Sequence, residues 1–165
     1  MVKLCQKGIG VMPKIRTIEH SDHWATPPEL YKILDDEFHF DFDPCPLHAE
    51  VDNLNASWGA RNYVNPPYER FTKEAFIKKS IIESKKKKLC VMLIPVSTST
   101  NIFHKHILPN ANEIRFLFRR VKFIGYNTRG EFVDQNVPRV SSMHDSMIVI
   151  FDGTKKKESI IIRSL

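Results

Sequence analysis

Asn65-Pro66-Pro67-Tyr68 is the stretch of this 165-residue sequence best equipped for chemistry. Two prolines fix φ and remove two backbone donors, which leaves carbonyls free to accept. The Asn65 side-chain oxygen and the Pro66 carbonyl then make two acceptors held at one point. An amine with two hydrogens is the natural guest. Held through both N–H bonds, its nitrogen turns the lone pair toward an electrophile, and Tyr68 offers a flat face on which a ring can stack. No general base is required, because the proton can leave once the new bond has formed. Asn65, Pro66 and Tyr68 are therefore the candidate catalytic residues. The plain alternative is a Pro-Pro turn that only closes a strand. A position directly after a predicted strand and before a predicted helix favours the chemical reading.

The elements that must position this motif can be read along the chain. Arg61 to Asn65 has the pattern of a strand, halted by Pro66-Pro67. Upstream, Thr26-Pro27-Pro28-Glu29 has the form of a capping box, with Thr26 as N-cap, proline at the first helical position and Glu29 three residues on. Leu30, Ile33, Leu34 and Phe38 follow at helical spacing and predict a helix near 27–37. His39-Phe40-Asp41-Phe42-Asp43 alternates, predicting a short strand that ends at Asp43-Pro44. A helix near 72–84 presents Phe76, Ile77 and Ile81 on one face, and the apolar run Leu89 to Pro95 marks a strand buried on both faces. Thr100 is placed to cap a short helix through Leu108. Ile114 to Phe118, Lys122-Phe123, Met147 to Phe151 and Ile160 to Ile162 read as further strands, with Lys155 to Lys157 as a hairpin turn. The fold expected is α/β, an open sheet with helices on its faces and a C-terminal antiparallel hairpin. Ligands in such folds sit at the carboxyl ends of strands, where Asp43, Asn65 and Pro95 all fall.

Composition sets the bounds. The length suits one compact domain, with 42% hydrophobic and 27% charged residues as in ordinary globular proteins. Residues 1–20 are mixed and non-periodic and read as a loose arm, leaving residues 21–165 as the domain. No apolar run approaches a membrane span, and no signal-peptide pattern is present, so a cytoplasmic protein without membrane contact is expected. Three scattered cysteines (Cys5, Cys45, Cys90) make no disulfide framework and point to a reducing compartment. The net charge of +6 is unevenly spread: residues 21–60 hold nine acidic residues against Lys32 alone, and residues 61–165 hold twenty basic against nine acidic. The basic part suits a polyanion and the acidic part a cationic small molecule.

The ordered set of motifs resembles the phage-type DNA N6-adenine methyltransferase family. Its elements are Trp24-Ala25-Thr26-Pro27, then Phe40-Asp41-Phe42-Asp43-Pro44-Cys45, then Trp58 shortly before Asn65-Pro66-Pro67-Tyr68. A strand running into a Pro and a Thr-rich turn follows, Leu93 to Thr100, and then Arg120-Val121-Lys122-Phe123 and a final apolar strand from Ser146 to Phe151. The likeness covers roughly residues 22–152 and is far more specific than any one piece. The resemblance implies methyl transfer from S-adenosylmethionine to the N6 amine of adenine in DNA, with the target base flipped into the motif. It implies cofactor contacts by Trp24, Thr26, Pro27, Asp43, Pro44 and Asn65, with Asp43 near the methionine part or the ribose, and the sulfonium of that cofactor fits the acidic local charge. One departure is that Asp43-Pro44-Cys45-Pro46 lacks the Gly-rich turn usual after the first strand. Only 21 residues separate Asp43 from Asn65, too few for two further strand–helix units, so the resemblance implies an abridged Rossmann-like methyltransferase sheet. Asp41, Glu50 and Asp52 all remain candidates to hold the cofactor ribose.

The motifs fill most of the chain, so DNA must be read by a loop or arm of the same domain. Residues 119–142 combine Arg119, Arg120, Lys122, Arg129 and Arg139 with a Gly-, Asn- and Ser-containing stretch of loop character, making them the expected DNA contacts. Lys85 to Lys88 reads first as a solvated helix end. The Cys45/His48 and His20/His23 spacings fall short of a zinc signature, and no metal is expected. Rival readings are the same chemistry on RNA or on a protein glutamine, and an idle nucleic-acid-binding module with the same fold. Cofactor binding separates the last from the others.

Overall fold

The computed structural model describes residues 24–46, 53–126, 132–133 and 142–165; for Tyr126, Phe132 and Val133 it describes the backbone only. The expected arm, with Cys5 and His20, lies outside these residues, as do His23, His48, Glu50, Asp52, Arg129 and Arg139.

Strand β1, Trp24–Ala25, leads into helix α1, Pro28–Phe38. Then come β2, Arg61–Val64, helix α2, Arg70–Lys85, and β3, Leu89–Pro95. A π-helical turn, Phe103–Ile107, runs into the short α3, Leu108–Asn110. The remaining strands are β4, Glu113–Phe116, β5, Ile124–Tyr126, β6, Phe132–Val133, β7, Ser146–Asp152, and β8, Ile161–Ser164.

The main sheet has five strands in the order β2-β3-β7-β4-β8. Strand β2 runs parallel to β3, β7 runs antiparallel to both β3 and β4, and β8 is parallel to β4. The carboxyl ends of β2, β3 and β4 therefore share one edge with the amino end of β7. The chain is thus a mixed α/β protein with an abridged Rossmann-like sheet. Among the described residues between Asp43 and Arg61 there is no further strand or helix. The predicted strand before Asp43 shrinks to one parallel bridge, Phe42 to Asn62, at the β2 edge.

Two apolar clusters cover the two faces of the sheet. Residues of β2, β3 and β7 alternate between them, as the two-residue period of a strand requires. Leu34 and Phe38 of α1 pack with Tyr63, Val91, Leu93, Ile148 and Ile150 on one face. On the other, Phe76, Ile77 and Ile81 of α2 pack with Val64, Met92, Val149 and Phe151. The two central strands β3 and β7 are buried along their whole length, which explains their unbroken apolar sequences.

Three sequence expectations need correction. The last two strands form no hairpin, because β4 lies between β7 and β8. Ile114, an apolar residue flanked by Glu113 and Arg115, fits this inner position, and β8 is left exposed at the sheet edge. Lys155 to Lys157 thus belongs to a connection that crosses over β4. Thr26 does not cap α1: the cap position is Pro27, no side chain caps the helix, and the Thr26 hydroxyl bonds the Tyr63 hydroxyl at 2.6 Å instead. A tertiary partner has won over the local capping bond. Lys122 and Phe123 precede β5 rather than forming it.

Lys85 to Lys88 is also more than a solvated helix end. The buried Glu83 accepts from Lys86 at 2.8 Å and Lys88 at 2.7 Å and pairs with Lys79 at 3.1 Å, while Lys88 also donates to the Trp58 carbonyl at 2.6 Å. Beside this cluster, Gly153 packs so tightly on the end of α2 that a Cβ would lie 1.6 Å from the Ser84 carbonyl oxygen. Arg115, the first cation of the basic stretch, is used up internally. It bonds Glu37 through two 2.6 Å contacts and Glu113 at 2.8 Å, and its guanidinium lies over Phe38.

Candidate active site

Asn65 leaves β2 at the shared sheet edge, two residues after Tyr63. Residues i and i+2 of a strand project to one face, so Asn65 emerges on the α1 side with Tyr63 beneath it. The Asn65 amide Nδ2 donates to the Trp24 carbonyl at 2.8 Å. This bond fixes the amide plane and leaves Oδ1 accepting nothing among the described residues. No backbone N–H of the described residues is bonded to the Pro66 carbonyl either. Among the described residues the two acceptors expected of the motif are thus both without a donor, and one is held in orientation by β1.

Trp24 is held in turn. Strand β1 pairs antiparallel with β5, Trp24 opposite Gly125 and Ala25 opposite Ile124. Thr26 is tied to Tyr63, and Pro27 is buried at the start of α1. The Trp24-to-Pro27 element, about forty residues away in sequence, is therefore tied directly to the motif by one hydrogen bond, at Asn65, and to the strand that carries the motif by a second, at Tyr63.

Tyr68 lies half-buried across the sheet edge. Its ring meets Phe123 edge to face at 5.7 Å, and its hydroxyl is buried beside Ser146 at the start of β7. Burial pushes the phenol well above its ordinary value, and the proximity of Ser146 only partly offsets that. Neither hydroxyl completes a hydrogen bond of normal geometry. The motif turn thus spans from β2 past β3 to β7. Tyr68 is a neutral group here, a ring and not a base.

Asp43 sits at the same edge. Its Oδ1 accepts from the Cys45 backbone N–H at 2.7 Å, which closes the turn that carries Pro44. Burial raises the carboxyl, and the Cys45 bond lowers it less. No cation pairs with Asp43 among the described residues. Its charge is felt by both Tyr31 and Tyr63, whose rings meet at 5.0 Å, and burial first and Asp43 among other causes push both phenols up. Tyr31, Tyr63 and Ser146 were not singled out by sequence reasoning. Tyr63 had a signal, since it shares a strand face with Asn65; Tyr31 and Ser146 had none.

Asp41, one of the ribose candidates, is occupied by structure. Its carboxylate accepts from Ala60 N–H at 3.1 Å and Arg61 N–H at 2.9 Å, fastening the approach to β2. Trp58 is buried, stacked on Phe76 and bonded to the Asn53 carbonyl, so it anchors the core on the sheet face opposite Tyr63.

Of the expected DNA contacts, Arg119, Arg120 and Lys122 are exposed along the segment between β4 and β5. They line an open groove of about 720 Å³ together with Pro27 and Leu30 of the α1 start. Arg120 pairs with Asp145 at 3.0 Å, both side chains largely exposed, a contact worth at most about 1 kcal/mol. A phosphate can displace it. The structure therefore gathers Trp24, Thr26, Pro27, Asp43, Asn65, Pro66 and Tyr68 at one edge and sets three of the five basic residues beside them.

A family model described as DNA N-6-adenine-methyltransferase (Dam) matches residues 16–164 of the chain. None of the curated proteins compared with the chain matches it.

Proposed function

Since the chain belongs to the DNA N-6-adenine-methyltransferase (Dam) family, we propose that it transfers a methyl group from S-adenosylmethionine to the N6 amine of adenine in DNA, the base being turned out of the helix into the Asn65-Pro66-Pro67-Tyr68 site. The observation that supports this reading best is the bond from the Asn65 amide to the Trp24 carbonyl, which leaves Oδ1 as an oriented acceptor. Together with the Pro66 carbonyl it accepts both hydrogens of the N6 amine. That geometry turns the nitrogen lone pair out of conjugation with the ring and toward the methyl donor. Tyr68, held by Phe123, supplies the ring face for the base.

When bound, S-adenosylmethionine supplies an electrophilic methyl group on a cationic sulfonium. The residues present fit such a ligand: Asp43 is a partly buried carboxyl with no cation of its own among the described residues, and Trp24, Thr26, Pro27 and Pro44 surround the same edge. Asp43 would hold the cationic part, while the Trp24-to-Pro27 element would couple that ligand to the Asn65 acceptor. Arg119, Arg120 and Lys122, with Arg129 and Arg139 from outside the described residues, would hold phosphates.

The test is to incubate the protein with labelled S-adenosylmethionine and DNA, RNA or protein, then digest and identify the product by mass spectrometry. N6-methyldeoxyadenosine as the labelled product is the expected result. Label in an RNA nucleoside or in glutamine would move the same chemistry to another substrate, and no label with no ligand binding would leave an idle nucleic-acid-binding module.

A pH dependence follows from Asp43. Its carboxyl titrates above the usual aspartate value near 3.8, so it becomes neutral at a higher pH than an exposed aspartate does. A cation favours the ionised form, so cofactor affinity is expected to fall as pH is lowered through this raised titration. Asp43→Asn should weaken binding and flatten that part of the profile. Calorimetry across pH 4 to 8 reads both; an Asp43→Asn protein with the wild-type profile would remove Asp43 from the site.

A further inference from the structure

Among the residues with described side chains, two phenylalanine rings are largely exposed to solvent. Phe71 is 74% exposed and Phe118 is 81% exposed. Each has an arginine from the neighbouring position laid over its face: Arg70 at 5.8 Å from the Phe71 centroid and Arg119 at 6.0 Å from that of Phe118. Leaving a phenyl ring in water forfeits the burial that dominates an aromatic's contribution to stability. Little of either ring's surface is buried by the fold.

Their positions coincide with the site. Phe71 stands in the first turn of α2, three residues beyond Tyr68. Phe118 follows the carboxyl end of β4, at the same sheet edge as Asn65, since β2, β3 and β4 are mutually parallel and β7 lies between β3 and β4. Three strand spacings separate β2 from β4, roughly 14 Å along that edge. Phe118 also lines the groove that carries Arg119, Arg120 and Lys122.

From this juxtaposition, and resting on the function proposed above, we infer that Arg70/Phe71 and Phe118/Arg119 are two base-stacking contacts with DNA that bracket the target adenine. An aromatic face under a guanidinium offers a nucleobase both a stacking surface and a cation within reach of the adjoining phosphate. The groove's cations supply the charge complementarity that commits it to a polyanion. The weak Arg70–Glu74 pair, 3.4 Å long and exposed on the arginine side, does not compete with a phosphate. Phosphate contacts carry no sequence information, whereas two rings spaced along the edge fix the register of the strand around the flipped base.

The experiment uses the full chain and a labelled duplex oligonucleotide containing adenine, with anisotropy titrations at several salt concentrations. Phe71→Leu and Phe118→Leu keep an apolar side chain in solvent, so folding is unaffected. Each is expected to weaken DNA binding about 5- to 150-fold, with the salt slope and S-adenosylmethionine affinity unchanged, because stacking releases no counterions. Phe118→Trp should retain binding and show tryptophan emission quenched by DNA beyond the quench seen in the wild type. A double Phe71→Leu/Phe118→Leu variant that binds as tightly as a wild type able to methylate DNA would overturn the stacking role and leave the proposed function standing. A wild type that neither binds nor methylates DNA would remove both.

Discussion

Asn65→Ala is expected to lower the methylation rate by about 10² to 10³, the usual cost of one positioned hydrogen-bonding partner at a reacting centre, while S-adenosylmethionine affinity stays within a few-fold. The argument rests on the two ends of one amide. Nδ2 is committed to the Trp24 carbonyl, so Oδ1 has a fixed direction before any base arrives. Alanine removes the acceptor and the tie to β1 together. The tie itself is a single neutral hydrogen bond worth about 1 kcal/mol, and β1 remains paired with β5 and linked to Tyr63 through Thr26. Melting temperature should therefore move by only a few degrees, and the loss should appear in kcat. Single-turnover methylation beside a calorimetric titration separates the two quantities. Near-normal turnover in Asn65→Ala would take the motif out of the reaction.

Glu83→Gln is expected to destabilise the fold by about 3 kcal/mol, because the one buried carboxylate that three lysines share is lost. Glu83 is 1% exposed and accepts or pairs with Lys79, Lys86 and Lys88. Burial alone would push its carboxyl up, but the three ammonium groups outweigh that and hold it down at about 2. A carboxyl depressed in the folded state stabilises the protein fully above its unfolded value near 4.5, and that stabilisation is lost as pH falls toward about 2. Over this interval the loss amounts to about 3 kcal/mol. Thermal unfolding from pH 7 to pH 2 should show a steep acid decline in the wild type. The glutamine variant should start lower, by about 10 °C at neutral pH, and lack that part of the decline. Matching melting curves at pH 7 would show that the lysines around Glu83 are satisfied by solvent.

The two predictions draw on different kinds of information, and the difference shows how far sequence carries. The helices and strands that hold the site were legible because their signals are local. Unbroken apolar runs at Leu89 to Pro95 and Met147 to Phe151 produced strands buried on both faces, and the 3.6-residue spacing of Phe76, Ile77 and Ile81 produced the packed face of α2. Asn65-Pro66-Pro67-Tyr68 announced itself because proline chemistry acts on its own backbone. The shortened interval between Asp43 and Asn65 foretold an abridged sheet by simple chain length.

Other features depended on partners remote in sequence. Thr26 has the sequence of a helix cap, yet its hydroxyl is claimed by Tyr63, 37 residues away. The connection after β7 has the look of a hairpin, yet β4 intervenes, with Ile114 and Arg115 buried in the inner position and β8 left exposed at the edge. Lys85 to Lys88 looks like any solvated cationic helix end until the burial of Glu83 beneath it is known. Phe71 and Phe118 read as ordinary apolar residues in sequence, and only tertiary structure leaves them bare at the edge that carries Asn65. By itself the sequence determined which groups are present and which local elements carry them. Which cations are spent internally, which rings stay in solvent, and which carbonyl orients the Asn65 amide were decided by packing between distant segments, where one group's gain depends on what every other group has already taken.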